Sequence, residues 1–215
     1  AVPTERQTVL FSATVPPPIR KIIERFTSNR VTVRIEATAL NVPAIEQSYA
    51  EVDFRSKTEV LCRLLDLHDV RYGLIFGFTK IQVDQLTETL VARGYSADKL
   101  HGDMTQVMRE RVMKRFRERK IELLVATDVA ARGIDVASIT HVINYDLPKV
   151  EEDYVHRIGR TGRAGASGIA ISFAAPDDHH QLRQIERYTG NSIARHVIAG
   201  MEPRAKQQTR APSGD

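Results

Sequence analysis

Between residues 45 and 190 the apolar positions follow two periods in turn. Short stretches such as GLIFG (73–77), IELLVA (121–126) and GIAISFA (168–174) are apolar at nearly every position, and THVINY (140–145) reads as a further strand. A strand that is apolar on both faces is buried on both, which predicts a mainly parallel sheet covered by helices rather than a half-exposed antiparallel one. Two further strands are expected, over 45–52 and ending near Leu100. Between the strands, three-and-four spacing predicts helices over 56–68, 80–93, 105–119, 151–158 and 178–188, with a short one at 129–132. In the third of these, Met108, Val112 and Phe116 make a core-facing stripe that leaves Arg109 beside it. The resulting βαβα rhythm is that of a doubly wound α/β domain, whose ligands bind in loops at the carboxyl ends of the strands.

The chain ahead of residue 45 is patterned separately. Thr8–Phe11 reads as a short buried strand, and Pro16–Pro18 opens an amphipathic helix with Ile19, Ile22, Ile23 and Phe26 on one side. Residues 31–35 read as another strand. Periodicity is then lost over 37–44, which contains Pro43 and is the expected linker. Residues 1–36 therefore belong to one domain and 45–200 to another. The tail 201–215 has no apolar periodicity, carries Lys and Arg, and is expected to be disordered. The start, Ala-Val-Pro-Thr-Glu-Arg, has neither Met nor an apolar signal region and reads as a beginning inside a longer protein.

Composition narrows the function. With 42% hydrophobic and 27% charged residues the chain is globular, and no apolar run approaches the roughly 20 residues of a spanning helix. The single cysteine, Cys62, rules out an internal disulfide framework and fits a reducing cytoplasm. Lys plus Arg total 31 against 27 for Asp plus Glu, a net charge of +4 compatible with a polyanionic partner. With no Trp and only 6% aromatics, such a nucleic acid would be gripped mainly by its backbone. None of the 12 glycines is followed by Lys, so no GxxxxGK[ST] loop is present and this chain alone is expected not to hydrolyse ATP.

Three segments carry candidate chemistry. In HRIGRTGR (156–163), Gly159 and Gly162 allow a tight bend between Arg160 and Arg163, which can bring two guanidinium groups onto one phosphoryl group; the alternative is a solvated basic turn. VATDVAARGID (125–135) follows a buried strand. There Thr127 can offer a hydroxyl and an N–H to phosphate, Gly133 permits close approach, and Asp135 can accept from a ribose, while Thr127 or Asp128 could equally cap a short helix. IFGFTK (75–80) and HGDMTQVMRER (101–111) follow two more strands and place Thr79, Gly102 and Arg109 where they can hold successive phosphates, although Arg109 can also be a plain helix charge. His179 and His180 beside Asp177 and Asp178 cluster like metal ligands, but neighbouring side chains at a helix start diverge.

Taken in order, these segments resemble the second RecA-like domain of DEAD-box RNA helicases over roughly residues 45–200. SAT (Ser12 to Thr14) is similar to motif III at the end of the first domain, IFGFTK to motif IV, Gln106 with Arg109 to the QxxR element, VATDVAARGID to motif V and HRIGRTGR to motif VI. Gly77 departs from the family, which more often has a bulkier residue there. The resemblance implies that Arg160 and Arg163 are arginine fingers and that Asp135 contacts the nucleotide ribose. Thr79, Gly102, Arg109 and Thr127 would contact the RNA backbone. Interdomain coupling would fall to Ser12, Thr14, Arg132 and His156, the last meeting the first domain's DEAD segment. ATP with Mg²⁺ would be held mainly by that first RecA-like domain, and the partner would be single-stranded or duplex RNA, with no membrane involved. Residues 1–35, as a remnant of the first domain, would need cover for their apolar faces and are expected to pack atypically or to pair with another chain, giving a dimer. IEQSYAEV, NYDLPKVEEDYVHRIGRTGRAG and the basic end are similar to bacterial members of the cold-shock and RhlE-like branches. A non-catalytic RNA-binding module and a DNA translocase remain as alternatives.

Overall fold

The structure is a computed structural model that describes residues 3, 5–12, 15, 17–33, 45–132, 134, 136, 138–163, 166–198 and 200. It comprises two compact units, Ala1–Leu40 and Asn41–Asp215. In the first, helix α1 (Pro17–Phe26) forms where the Pro-led amphipathic pattern predicts it, and none of its residues is buried. Two expectations fail here. Neither Thr8–Phe11 nor Val31–Val33 is a strand; Phe11 is 92% exposed and Val31 89%. A strand needs a ladder partner for its N–H and C=O groups, and among the described residues neither segment has one. The expected linker 37–44 and tail 201–215 lie outside the described residues.

The second unit follows the predicted alternation: β1 (Ile45–Glu51), α2 (Lys57–Leu67), β2 (Gly73–Phe76), α3 (Lys80–Ala92), β3 (Ala97–Leu100), α4 (Gln106–Arg117), β4 (Leu123–Ala126), α5 (Asp128–Ala131), β5 (His141–Asn144), α6 (Glu151–Ile158), β6 (Gly168–Ala174), α7 (His179–Thr189) and β7 (Ala194–Arg195). The strands form one sheet in the order β3-β4-β2-β5-β6-β1-β7, parallel at every pairing. The two-residue β7, both residues exposed, carries no apolar signature and was not anticipated.

The continuous apolar runs are explained by the two helix layers. Ile75, Val125, Ile143, Ile171 and Phe173 point to the face covered by α2 and α3. Their neighbours Leu74, Phe76, Leu124, Ala126 and Val142 point to the other face, under α4 and α5, and Ala170 lies under α6 and α7. Strands β2, β4 and β5 are buried at all their positions. Each fully buried Leu, Ile or Phe contributes about 1.5–3 kcal/mol, so this sandwich is a rigid base for the loops it carries.

At the amino-terminal end of the sheet three histidines meet. The His141 ring lies 6.2 Å from that of His68, which is 5.5 Å from that of His196. Thr140 Oγ1 donates to Tyr72 O (2.9 Å) and so accepts from His141 Nδ1 (2.8 Å), leaving Nε2 as a buried lone pair with no partner among the described residues. Burial, then the neighbouring His68, pushes the His141 pKa below its ordinary value; burial, then His196, does the same to His68.

Candidate functional site

Because all strands run the same way, the loops leaving β3, β4, β2 and β5 open on one rim of the sheet, in that spatial order. They present Gly102, Thr127, Thr79 and Asp146 respectively. Thr79 caps α3, its hydroxyl oxygen accepting from Gln82 N at 3.2 Å, which leaves the O–H proton available to donate. Thr127 occupies the cap position of α5 but makes no side-chain cap bond. Gly102 is exposed in a turn, and a Cβ built there would meet nothing within 4 Å. Arg109 reaches from α4 to the carbonyl of Ala130 (3.3 Å), tying α4 to the residues after Thr127. Lys80 bridges to Asp103 at 2.6 Å, joining the loops after β2 and β3. Beneath Gly102, His101 Nε2 lies 3.0 Å from Asp84, and a hydrogen bond from Lys99 holds the Asp84 carboxyl below its usual pKa.

Gly77, the departure from the family pattern, is filled from α3. A Cβ there would lie 3.1 Å from Val83 Cγ2 and 3.4 Å from Gln82 Oε1, and that oxygen accepts from Phe78 N at 2.7 Å.

The second cluster centres on Arg157, whose side chain is 1% exposed. Its Nε and Nη2 reach the two oxygens of Asp128 at 2.6 and 2.7 Å; Nη1 donates to Asn144 Oδ1 (3.1 Å) and to the carbonyl of Asp146 (2.6 Å). The guanidinium also lies 4.9 Å over the Phe76 ring. Asn144 in turn donates to Ser172 across the sheet (3.0 Å), and Asp146 accepts from the buried Lys57 (2.7 Å) and from Phe78 N (3.2 Å). Asp128 is thus neither a helix cap nor a ligand in waiting: it is one jaw of a bidentate clamp. The loops after β2, β4 and β5 are all tied to α6 through this network.

Helix α6 starts at the rim and runs back along the sheet, so the arginines beyond it stand at its far end. Arg160 Nη1 donates to Ile134 O (2.9 Å) and Arg163 Nε to Gly159 O (2.8 Å). Between them Thr161 donates to Ile139 O (2.5 Å) at the entry to β5, and Gly162 takes a φ of 66°. The loop is wedged on Gly168, where a Cβ would come within 2.6 Å of Gly162 N. The structure therefore separates the candidates into a rim holding Thr79, Gly102, Arg109 and Thr127, and a bend holding Arg160 and Arg163. Arg132 and His156 converge on Asp153, at 3.5 and 4.0 Å. Asp135, Gly133 and Thr14 lie outside the described residues, and Ser12 is an exposed residue of the first unit. The Asp177–His180 group disperses: Asp178 accepts from Ala175 N, His179 faces Glu51 and His180 faces Gln184.

Sequence reasoning missed Arg157, Asp146, Lys57 and Gly168. A polar NYD following the apolar THVI was the available signal for the clamp, since polar residues ending a buried strand need partners.

Residues 56–165 match the helicase conserved C-terminal domain. The chain is 50% identical over 194 residues to the DEAD-box ATP-dependent RNA helicase CshA of Geobacillus kaustophilus, covering 90% of this chain and 42% of that protein. It belongs to the DEAD-box family. CshA of Bacillus subtilis is 49% identical, with 39% of its length covered. This DEAD-box chain therefore spans about two fifths of the length of the curated relatives it matches. Among solved structures, Escherichia coli SrmB, bound to regulator of ribonuclease activity A, matches with TM-score 0.71 and 38% identity over 79% of this chain and 98% of that one. Dbp5 of S. cerevisiae, bound to RNA and ADP BeF3, matches with TM-score 0.83 and 35% identity over 92% of this chain and 53% of that one.

Proposed function

We propose that this DEAD-box chain is the second RecA-like domain, residues 45–200, of an ATP-dependent RNA helicase. Arg160 and Arg163 act as its arginine fingers, and the rim formed by Thr79, Gly102, Arg109 and Thr127 is its RNA-backbone surface. ATP and its Mg²⁺ are held mainly by a first RecA-like domain, with Asp135 on the ribose. Domain closure carries the two guanidinium groups onto the γ-phosphate, where such a finger is worth roughly 10³ to 10⁵ in rate. Arg132, His156, Ser12 and Thr14 serve the closed interface. Residues 1–35, with Val9, Phe11, Val31 and Val33 exposed, either pack atypically on their own domain or pair with another chain; a strictly monomeric particle with this segment disordered contradicts that part. The cytoplasm, where Cys62 stays a thiol, is the proposed site of action.

The observation that carries the reading is the Arg157 clamp. Asp128, next to Thr127 on the RNA side, and α6, which leads into the bend carrying Arg160 and Arg163 on the nucleotide side, are locked to each other by two charge-assisted bonds. Displacing one loop displaces the other, which is what coupling RNA binding to hydrolysis requires. ATPase stimulation of the full-length protein by RNA and by DNA of the same sequence tests it. Stimulation by RNA alone is expected, because backbone readout that includes the 2′-OH discriminates against DNA. Equal stimulation by both indicates a DNA-capable translocase, and stimulation by neither a non-catalytic module.

A further inference from the structure

Most aromatic side chains of the α/β unit are core: Tyr72, Phe76, Phe116, Tyr145, Tyr154 and Phe173 are all buried. Phe78 is not. Its side chain follows β2 on the rim and is 41% exposed, although nothing in the local backbone requires an aromatic there. The residue is held unusually firmly. Gly77 N extends the ladder to Ala126 O, and the next amide, Phe78 N, is shared between Gln82 Oε1 at 2.7 Å and Asp146 Oδ2 at 3.2 Å. Three elements, β2, α3 and the loop after β5, therefore fix the peptide that carries the ring. Against the ring stands a cation: Lys149 Nζ lies 4.6 Å from its centroid.

Position gives this pair a meaning. Along the rim the order is Gly102 after β3, Thr127 after β4, Phe78 and Thr79 after β2, and Lys149 after β5. Phe78 is thus flanked on one side by the groups assigned to the RNA backbone and on the other by a lysine. From this geometry we infer that Phe78, braced by Lys149, is a nucleobase-stacking subsite: a single-stranded RNA whose phosphates follow Gly102, Thr127 and Thr79 lays one base on the Phe78 ring. The inference rests on the proposed RNA rim and adds to it a contact that is not to the backbone. Stacking accepts any base, because every base has a π-face, so the subsite strengthens grip without reading sequence. A ring held in place before binding loses little freedom when a base lands on it.

The test uses the full-length protein with a non-hydrolysable ATP analogue, titrated with single-stranded RNA at several salt concentrations. Stacking and phosphate contacts differ in their salt dependence, since only the latter release counterions. Phe78→Ala and Phe78→Leu are expected to weaken RNA binding about tenfold with the slope of log affinity against log salt unchanged, and Phe78→Trp to restore it. Quenching of a fluorescent purine analogue in the RNA should vanish in Phe78→Ala and return in Phe78→Trp. Arg109→Ala, run alongside, should lower that slope by about one. If Arg109→Ala leaves affinity and slope unchanged, the RNA rim itself is wrong, whatever Phe78 does. If Arg109→Ala behaves as expected while Phe78→Ala binds like the wild type, or Phe78→Leu matches the wild type, the stacking subsite is overturned. It is equally overturned if Phe78→Ala keeps RNA binding and loses a protein partner instead.

Discussion

Replacing Arg157 with Met removes a guanidinium that is 1% exposed and keeps most of its apolar length. What remains is the Asp128 carboxylate, 30% exposed, together with the Asn144 Oδ1 and Asp146 carbonyl acceptors that Arg157 had satisfied. Breaking a buried ion pair by deleting one partner costs about 3–5 kcal/mol. Partial access of water to Asp128 argues for the lower end, and the two stranded acceptors, worth about 1–3 kcal/mol each if fully buried, push back upward without adding in full. About 4 kcal/mol is the expected loss, against a typical domain stability of about 5–15 kcal/mol. With a urea dependence near 2 kcal/mol per molar, the unfolding midpoint should fall by about 2 M. Urea titration of Arg157→Met, Asp128→Asn and the double variant gives the pair coupling directly. A midpoint shift below about 0.5 M for Arg157→Met, or additivity of the two single changes, refutes the claim that this clamp holds α6 to the loop after β4.

Other expectations follow from the same geometry. Gly102→Ala meets no atom within 4 Å, so its unfolding midpoint should match the wild type while RNA affinity falls; unchanged RNA binding would remove Gly102 from the rim. His141, with its pKa depressed by burial, takes up its proton more readily in the unfolded chain, so stability is complete above the ordinary value of 6.5 and declines as pH falls through and below it. Comparing unfolding midpoints at neutral and mildly acidic pH should show this decline, and His141→Gln should flatten it; an unchanged pH dependence in that variant would place the acid sensitivity elsewhere.

What was legible in the sequence divides along physical lines. The apolar runs of β2 and β4 and the Val142–Ile143 centre of β5 declared themselves because strands covered on both faces are mostly apolar, and the helices between them kept their period. Thr8–Phe11 and Val31–Val33 have equally good strand patterns and form no strand, because a pattern records a preference for burial and not the presence of a neighbour to pair with. β7 was invisible for the opposite reason: two exposed residues join the sheet through backbone pairing and the Arg195–Glu51 ion pair, without an apolar signature. In the candidate site, the rim positions of Thr79, Thr127 and Gly102 were legible because each directly follows a predicted strand, although Thr79 also has a structural use as the cap of α3. Arg157 was passed over because it sits among arginines of the same motif, and only full burial and the four bonds of its guanidinium distinguish this strut from the half-buried Arg160 and Arg163. Asp146 looked like an ordinary loop acid, since its partner Lys57 is 89 positions away.

The central claim, that Arg160 and Arg163 complete a nucleotide site held by another domain, is tested most directly by single-turnover ATP hydrolysis in the full-length protein carrying Arg160→Ala or Arg163→Ala, with ATP affinity measured in parallel. A loss of roughly 10³-fold or more in hydrolysis with ATP binding largely retained is the predicted result. Wild-type turnover in both variants would contradict it.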